Sequence, residues 1–235
     1  MKKLFEKHET SFCIILIVLY VILNSYCIQN YGTIDYRSAL INTVFSIILV
    51  GLIIILGRTS YYGLIKPKEY KKYLYFIPLL LIMSVNLWDG VYIRNTRNEI
   101  LFHILTMINV GFIEEIIFRG FLFKMMEKDN LKRAMIVSAL TFGIGHIINL
   151  LNGAEFIPTL LQVFYAVALG YLFVVIFYRS KSLIPPIITH IVINSTSIFA
   201  VDNDVLAYIV SVFLIIVSIS YAIYLNRSFE AKKIY

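Results

Sequence analysis

Five side chains able to accept, donate or move a proton lie inside long apolar runs of this sequence. Twelve of the fourteen acidic residues fall in polar connections, tails or the ends of apolar runs; Glu114 and Glu115 do not. They stand in Gly111-Phe112-Ile113-Glu114-Glu115-Ile116-Ile117-Phe118-Arg119. His146 and His190 are also deep in apolar sequence, and Asn194 follows His190 by four residues. A charge at mid-bilayer costs about 3 kcal/mol on insertion scales, so such groups are kept for a function.

Helical spacing sorts their roles. Glu115 and Arg119 are i,i+4 neighbours on one face and can form an ion pair that neutralises two buried charges. Glu114 points about 100° away round the helix and is free of that pairing. His190 and Asn194 are again i,i+4, presenting two polar groups on one face. The candidate catalytic set is therefore Glu114, Glu115, His146, His190 and Asn194, with Glu115 and Arg119 as a structural ion pair. The reaction that suits it is amide hydrolysis by an activated water. Glu114 would be the general base, and His146 would hold or polarise the water. His190 and Asn194 would donate to the oxyanion of the tetrahedral intermediate. Alternatively, Glu114, His146 and His190 could bind Zn²⁺ as three ligands with a fourth position open to water. No HExxH helix is present, so the sequence leaves both routes open: one divalent metal, or none.

The elements that must position these groups are membrane helices. The chain has 235 residues, 60% hydrophobic and only 15% charged, with a mean hydropathy of +0.82. That is too little polar surface to cover a soluble globule, for which about 25% charged residues is usual. Runs long enough to cross a bilayer occur at roughly 12–29, 38–57, 73–88, 100–123, 134–150, 157–178, 183–200 and 204–225. The first follows Met1-Lys2-Lys3, but it is too long for a signal peptide and lacks a small-residue cleavage site, so a retained anchor is expected. Cys13 and Cys27, fourteen residues apart in that run, are too distant along a helix to bridge each other.

Charge sets the orientation. Seventeen Lys and Arg fall in one alternating set of connections and tails, against Arg37, Arg94 and Arg97 in the other. This predicts both termini in the cytoplasm and an even number of spans, about eight. The formal charge of +7 thus belongs to loops at an anionic leaflet, with membrane lipid and not nucleic acid as the partner. Counted from the nearest basic loop, Glu114, His146, His190 and Asn194 all lie about 13–20 Å below the cytoplasmic surface. Three helices of alternating direction bring their polar groups to one level. With no repeat and no long linker, the expectation is an all-α polytopic bundle. It forms one integral-membrane domain, 1–235, whose motif-bearing core is about 100–200.

These residues resemble the motifs of the CPBP family, the CAAX proteases and bacteriocin-processing enzymes formerly called Abi. Glu114-Glu115-Ile116-Ile117-Phe118-Arg119 resembles EExxxR, Phe142-Gly143-Ile144-Gly145-His146 resembles FxxxH, and His190-Ile191-Val192-Ile193-Asn194 resembles HxxxN. The resemblance implies an intramembrane endopeptidase of the type II CAAX-prenyl-protease kind. The first glutamate would be the base, the FxxxH histidine would activate water, and the last histidine and asparagine would support the oxyanion. It implies a peptide or small-protein substrate, in bacteriocin or pheromone maturation or in self-immunity, and a multi-pass protein of the bacterial cytoplasmic membrane. It also carries the label of metalloprotease. Two other classes stay in view: a proton-coupled transporter, and a non-enzymatic immunity protein that sequesters a peptide. Oligomeric state and natural substrate are not legible.

Overall fold

The computed structural model describes residues 2–68 and 76–230. Among the described residues the chain is all-helical, without strands. After a short N-terminal helix, Lys2–Lys7, come α1 (Glu9–Tyr31) and α2 (Tyr36–Ile55). Then follow α3 (Phe76–Met83), α4 (Arg97–Glu115) and α5 (Leu131–Gly145). The chain closes with α6 (Phe156–Ser180), α7 (Ile184–Thr196) and α8 (Asp204–Glu230). α4 does not stop at Glu115. It passes into a π-helical segment, Ile116–Phe123, and ends in Lys124–Glu127, so one rod of 31 residues carries the two glutamates and Arg119.

Six helices are long and apolar enough to cross a membrane: Glu9–Tyr31, Tyr36–Ile55, Arg97–Glu127, Leu131–Leu151, Phe156–Ser180 and Asp204–Ser228. Each coincides with one of the apolar runs. The run 183–200 forms a shorter apolar helix, Ile184–Phe199, whose last turn is 3-10 and which stops where Ala200 turns extended. The run 73–88 begins outside the described residues, as do Lys71 and Lys72; within them it forms α3 and one 3-10 turn, Val85–Leu87. Outward faces are apolar, with Ile47, Ile54, Ile55, Val212 and Ile216 among the exposed residues, while Asn42, Glu114, Glu115, Arg119 and His190 are buried. This inversion of the soluble pattern is what a hydrocarbon solvent selects. Cys13 and Cys27 are both buried and free.

The helix starts are set locally. Thr96 and Glu99 form a reciprocal capping box at the start of α4, and the Asn130 side chain accepts from the Arg133 N–H at the start of α5. Pro185 and Pro186 open α7, where missing or unpaired N–H groups cost nothing. Lys181 closes α6 in a left-handed conformation, φ 58°, its N–H donating to the Phe177 carbonyl.

α6 runs between α5 and α8, while α4 packs along α7 and α2. Small residues permit the closest of these approaches. A Cβ on Gly143 would lie 2.3 Å from Val167 Cγ2 and 2.9 Å from the Val163 carbonyl oxygen, so α5 and α6 touch backbone to backbone there. Gly145, two residues on, faces open space. Gly143→Ala should therefore separate the helices that carry Phe142 and His146, costing about 1–3 kcal/mol as overpacking does. Gly145→Ala should leave the melting temperature of the purified protein unchanged within about a degree or two. Equal melting behaviour of the two variants would contradict the packing described.

Candidate active site

Glu115 is the hub of a buried polar network. Its Oε1 accepts from Arg119 Nη1 at 3.1 Å and lies 2.9 Å from His190 Nδ1, and both Glu115 and Arg119 side chains are wholly buried. An ionised carboxylate only accepts, so Nδ1 carries its hydrogen toward Glu115. That turns the other ring nitrogen, Nε2, toward Glu114, 3.3 Å from Oε2. Glu115 thus orients His190 from behind, and α4 is tied to α7 through that contact.

The π-helical segment makes room for this. Its wider turns place Arg119 beneath Glu115 while the helix continues to the polar end at Lys124. Ser138 of α5 donates to the carbonyl of Phe118 at 2.9 Å, satisfying an acceptor within the segment. The Arg119 guanidinium lies over the Phe142 ring at 4.0 Å and the Phe173 ring at 5.7 Å. Its Nε and Nη2 make no hydrogen bond and are met by those aromatic faces. Gly170 leaves the space: a Cβ there would come within 2.9 Å of Nη2.

Phe142 also touches both histidines edge-on, at ring-centroid distances of 5.2 Å to His146 and 5.6 Å to His190. His146 ends the α-helical part of α5 and shares a cavity of about 50 Å³ with Glu114, Tyr20, Asn24 and Asn149. A site that size has room for water and for little else. Glu114 Oε1 accepts from the Tyr20 hydroxyl of α1 at 2.6 Å, while Oε2 is buried with no hydrogen-bond partner.

Of the residues singled out in the sequence, Glu114, Glu115, Arg119 and His190 are joined directly, and His146 reaches the same cavity. Asn194 stands one turn beyond His190 and does not line that cavity; its backbone carbonyl is engaged by His103 Nε2 at 3.1 Å and by Ser197 Oγ at 2.7 Å. Sequence reasoning passed over Tyr20 and His103, and gave Phe142 no role beyond its place in the FxxxH motif. His103 is buried between Asn194 and Thr33, whose hydroxyl is 3.0 Å from Nδ1. Tyr20 and Asn24, at i,i+4 in α1, gave a faint signal of a polar face. Among the described residues no three His, Cys, Asp or Glu side chains are set to hold a metal ion together. As arranged, His190 Nε2 faces Glu114 in a pair, so the donors do not converge on one metal position.

Removing one partner of a buried ion pair strands the other, at about 3–5 kcal/mol. Arg119→Ala should therefore lower the yield of folded, monodisperse protein as well as any activity, because Glu115 loses the counter-charge beneath it. A normal yield of stable but inactive Arg119→Ala protein would assign Arg119 a direct chemical role instead.

A family model described as type II CAAX prenyl endopeptidase Rce1-like matches residues 96–196. Neither the curated proteins nor the solved structures give a match. The matched segment starts at the Thr96 cap of α4 and ends with α7, enclosing all three motifs and every residue of the Glu115 network. Residues 96–196 of this chain are therefore similar to the Rce1-like type II CAAX prenyl endopeptidases, a protease family.

Proposed function

We propose that this multi-pass membrane protein is an intramembrane endopeptidase in which Glu114 activates a water for attack on a peptide bond. The observation that carries this reading is Glu114 Oε2, a buried carboxylate oxygen without a hydrogen-bond partner beside a water-sized cavity shared with His146. A water in that cavity would give its proton to Oε2 while His146 holds its oxygen. The hydroxide bonds to the scissile carbonyl carbon, and the carbonyl electron pair moves onto oxygen. His190, as an imidazolium that donates from Nδ1 to Glu115, would donate from Nε2 to that oxyanion, with the Asn194 amide as second donor. As the carbon–nitrogen bond breaks, the proton held by Glu114 passes to the leaving amine. Glu115, backed by Arg119, keeps His190 turned the right way throughout.

The substrate is a membrane-associated or leader-bearing peptide, in bacteriocin or pheromone maturation or in self-immunity. The protein is one domain of the bacterial cytoplasmic membrane, with eight crossings and cytoplasmic termini. What supports this topology is the distribution of Lys and Arg, together with seven apolar helices among the described residues and α3 as the eighth.

Purified protein should cleave candidate precursor peptides, and Glu114→Gln should bind them while losing about 10²–10⁴ in rate. Asn194→Ala should lose about 10²–10³ with binding little changed. Equal cleavage by wild type and Glu114→Gln would remove Glu114 from its role, and loss of cleavage in a strong chelator would add a metal to the mechanism. No cleavage by the wild type would favour a transporter or a peptide-sequestering protein.

Reporter fusions at Arg37, Arg94, Gly153 and Asp202 should all read outside the cytoplasm. A cytoplasmic reading at Gly153 would set the α5–α6 connection on the wrong side and overturn the common depth of the site.

A further inference from the structure

α1 lies outside the matched segment 96–196 and carries no motif, yet among the described residues it supplies the one hydrogen bond that the Glu114 carboxylate accepts. The Tyr20 hydroxyl reaches Oε1 across 94 residues of sequence, at 2.6 Å, within the range of a charge-assisted O–H···O⁻ bond. Tyr20 is only 3% exposed, and its ring stacks on Phe45 of α2 with centroids 6.3 Å apart and planes 13° from parallel. The phenol is therefore held from both sides and is not a surface side chain resting on the site.

What that bond does follows from carboxylate geometry. The last torsion of a glutamate is broad and roughly two-fold, so an unrestrained Glu114 could present either oxygen to the cavity, or neither. Tyr20 takes Oε1 and leaves Oε2 bare, buried, and 3.3 Å from His190 Nε2. Tyr20, Val21 and Asn24 also form the α1 wall of the cavity where water would sit.

α1 is anchored independently at its two ends. Glu9 pairs with Lys128 and, at 3.7 Å, with Arg58; Gln29 Nε2 donates to Asn152 Oδ1 at 2.9 Å. The helix would stay docked without Tyr20, so the mid-helix phenol is not needed to hold it.

We infer that Tyr20 is a positioning residue for Glu114: its hydroxyl fixes the carboxylate plane so that Oε2 is the oxygen that takes the proton from water. This rests on the peptidase reading above. The first helix is thus part of the working site, not an anchor alone.

Tyr20→Phe removes only the hydroxyl and keeps the ring on Phe45. Peptide cleavage by the purified full chain should fall about 10- to 100-fold in kcat, the size of a hydrogen bond to a charged group. KM and folded yield should stay within about twofold, because the substrate and the ends of α1 are untouched. The deciding comparison is the same substitution in the Glu114→Gln protein, where it should change the residual rate by less than about twofold, since the group it positions is gone. Equal fold losses in both backgrounds would make Tyr20 a packing residue and overturn the inference. A Tyr20→Phe protein as active as wild type would overturn it while leaving the peptidase reading intact. The melting temperatures of the same four proteins give a readout without substrate. If the wild type cleaves nothing, the peptidase reading fails. Non-additive melting shifts would then still show the hydroxyl acting on Glu114, and additive ones would reject that as well.

Discussion

A carboxylate enclosed by helices that face hydrocarbon has no water to stabilise it and must be neutralised from within the protein. Glu115 meets that constraint with two partners on one oxygen, Arg119 below and His190 across the helix interface. Much of the rest follows from it. Arg119 is buried with its guanidinium over the rings of Phe142 and Phe173, and two of its nitrogens make no hydrogen bond. Those rings come from α5 and α6, so one guanidinium gathers three helices, and Gly170 must stay without a side chain for it to fit. Such pairs add little net stability when complete but are costly to break. They specify how the helices meet more than how tightly they hold.

The same arrangement separates the two glutamates by function. Glu115 holds Arg119 and His190 on Oε1, and its Oε2, like that of Glu114, is buried without a hydrogen-bond partner; the two differ in that Glu114 lines the cavity and Glu115 does not. Glu114, its immediate neighbour, has Oε1 held by a phenol and Oε2 3.3 Å from His190 Nε2, beside that cavity. Adjacent residues on a helix diverge by about 100°, and this alone sends one carboxylate into the packing and the other into the cavity. Phe142 links the two halves, since one ring touches Arg119, His146 and His190.

Much of this was legible in the residues. Apolar run length located the long helices, because bilayer thickness leaves few other solutions. The four-residue step from Glu115 to Arg119 puts both on one helical face, and the structure has them in contact at 3.1 Å. The π-helical turns between them were not legible, since nothing in Ile-Ile-Phe-Arg-Gly-Phe-Leu-Phe distinguishes a wide turn from an ordinary one. Tyr20 was hidden for another reason: it is one of seventeen tyrosines, and its significance depends on a contact with a residue 94 positions away. Spacing arguments reach along one helix; they do not reach between helices. His103 likewise shows its place only through a contact between helices, buried against α7.

The helix that carries His190 is shorter than its neighbours. α7 has thirteen α-helical residues and three in a 3-10 turn, spanning roughly 25 Å. The hydrocarbon core of a typical bilayer is about 30 Å thick. The partner along which α7 packs, the rod Arg97–Glu127, is long enough to span with turns to spare. One thickness cannot suit both, so if α7 crosses beside that rod, lipid there would compress or polar groups would sit below headgroup level. Asn86, Thr196, Ser197 and His103 gather at the far end of α7 and offer water a foothold at that depth. The length difference between the two helices thus puts the polar cluster, not an apolar surface, where hydrocarbon would otherwise have to thin.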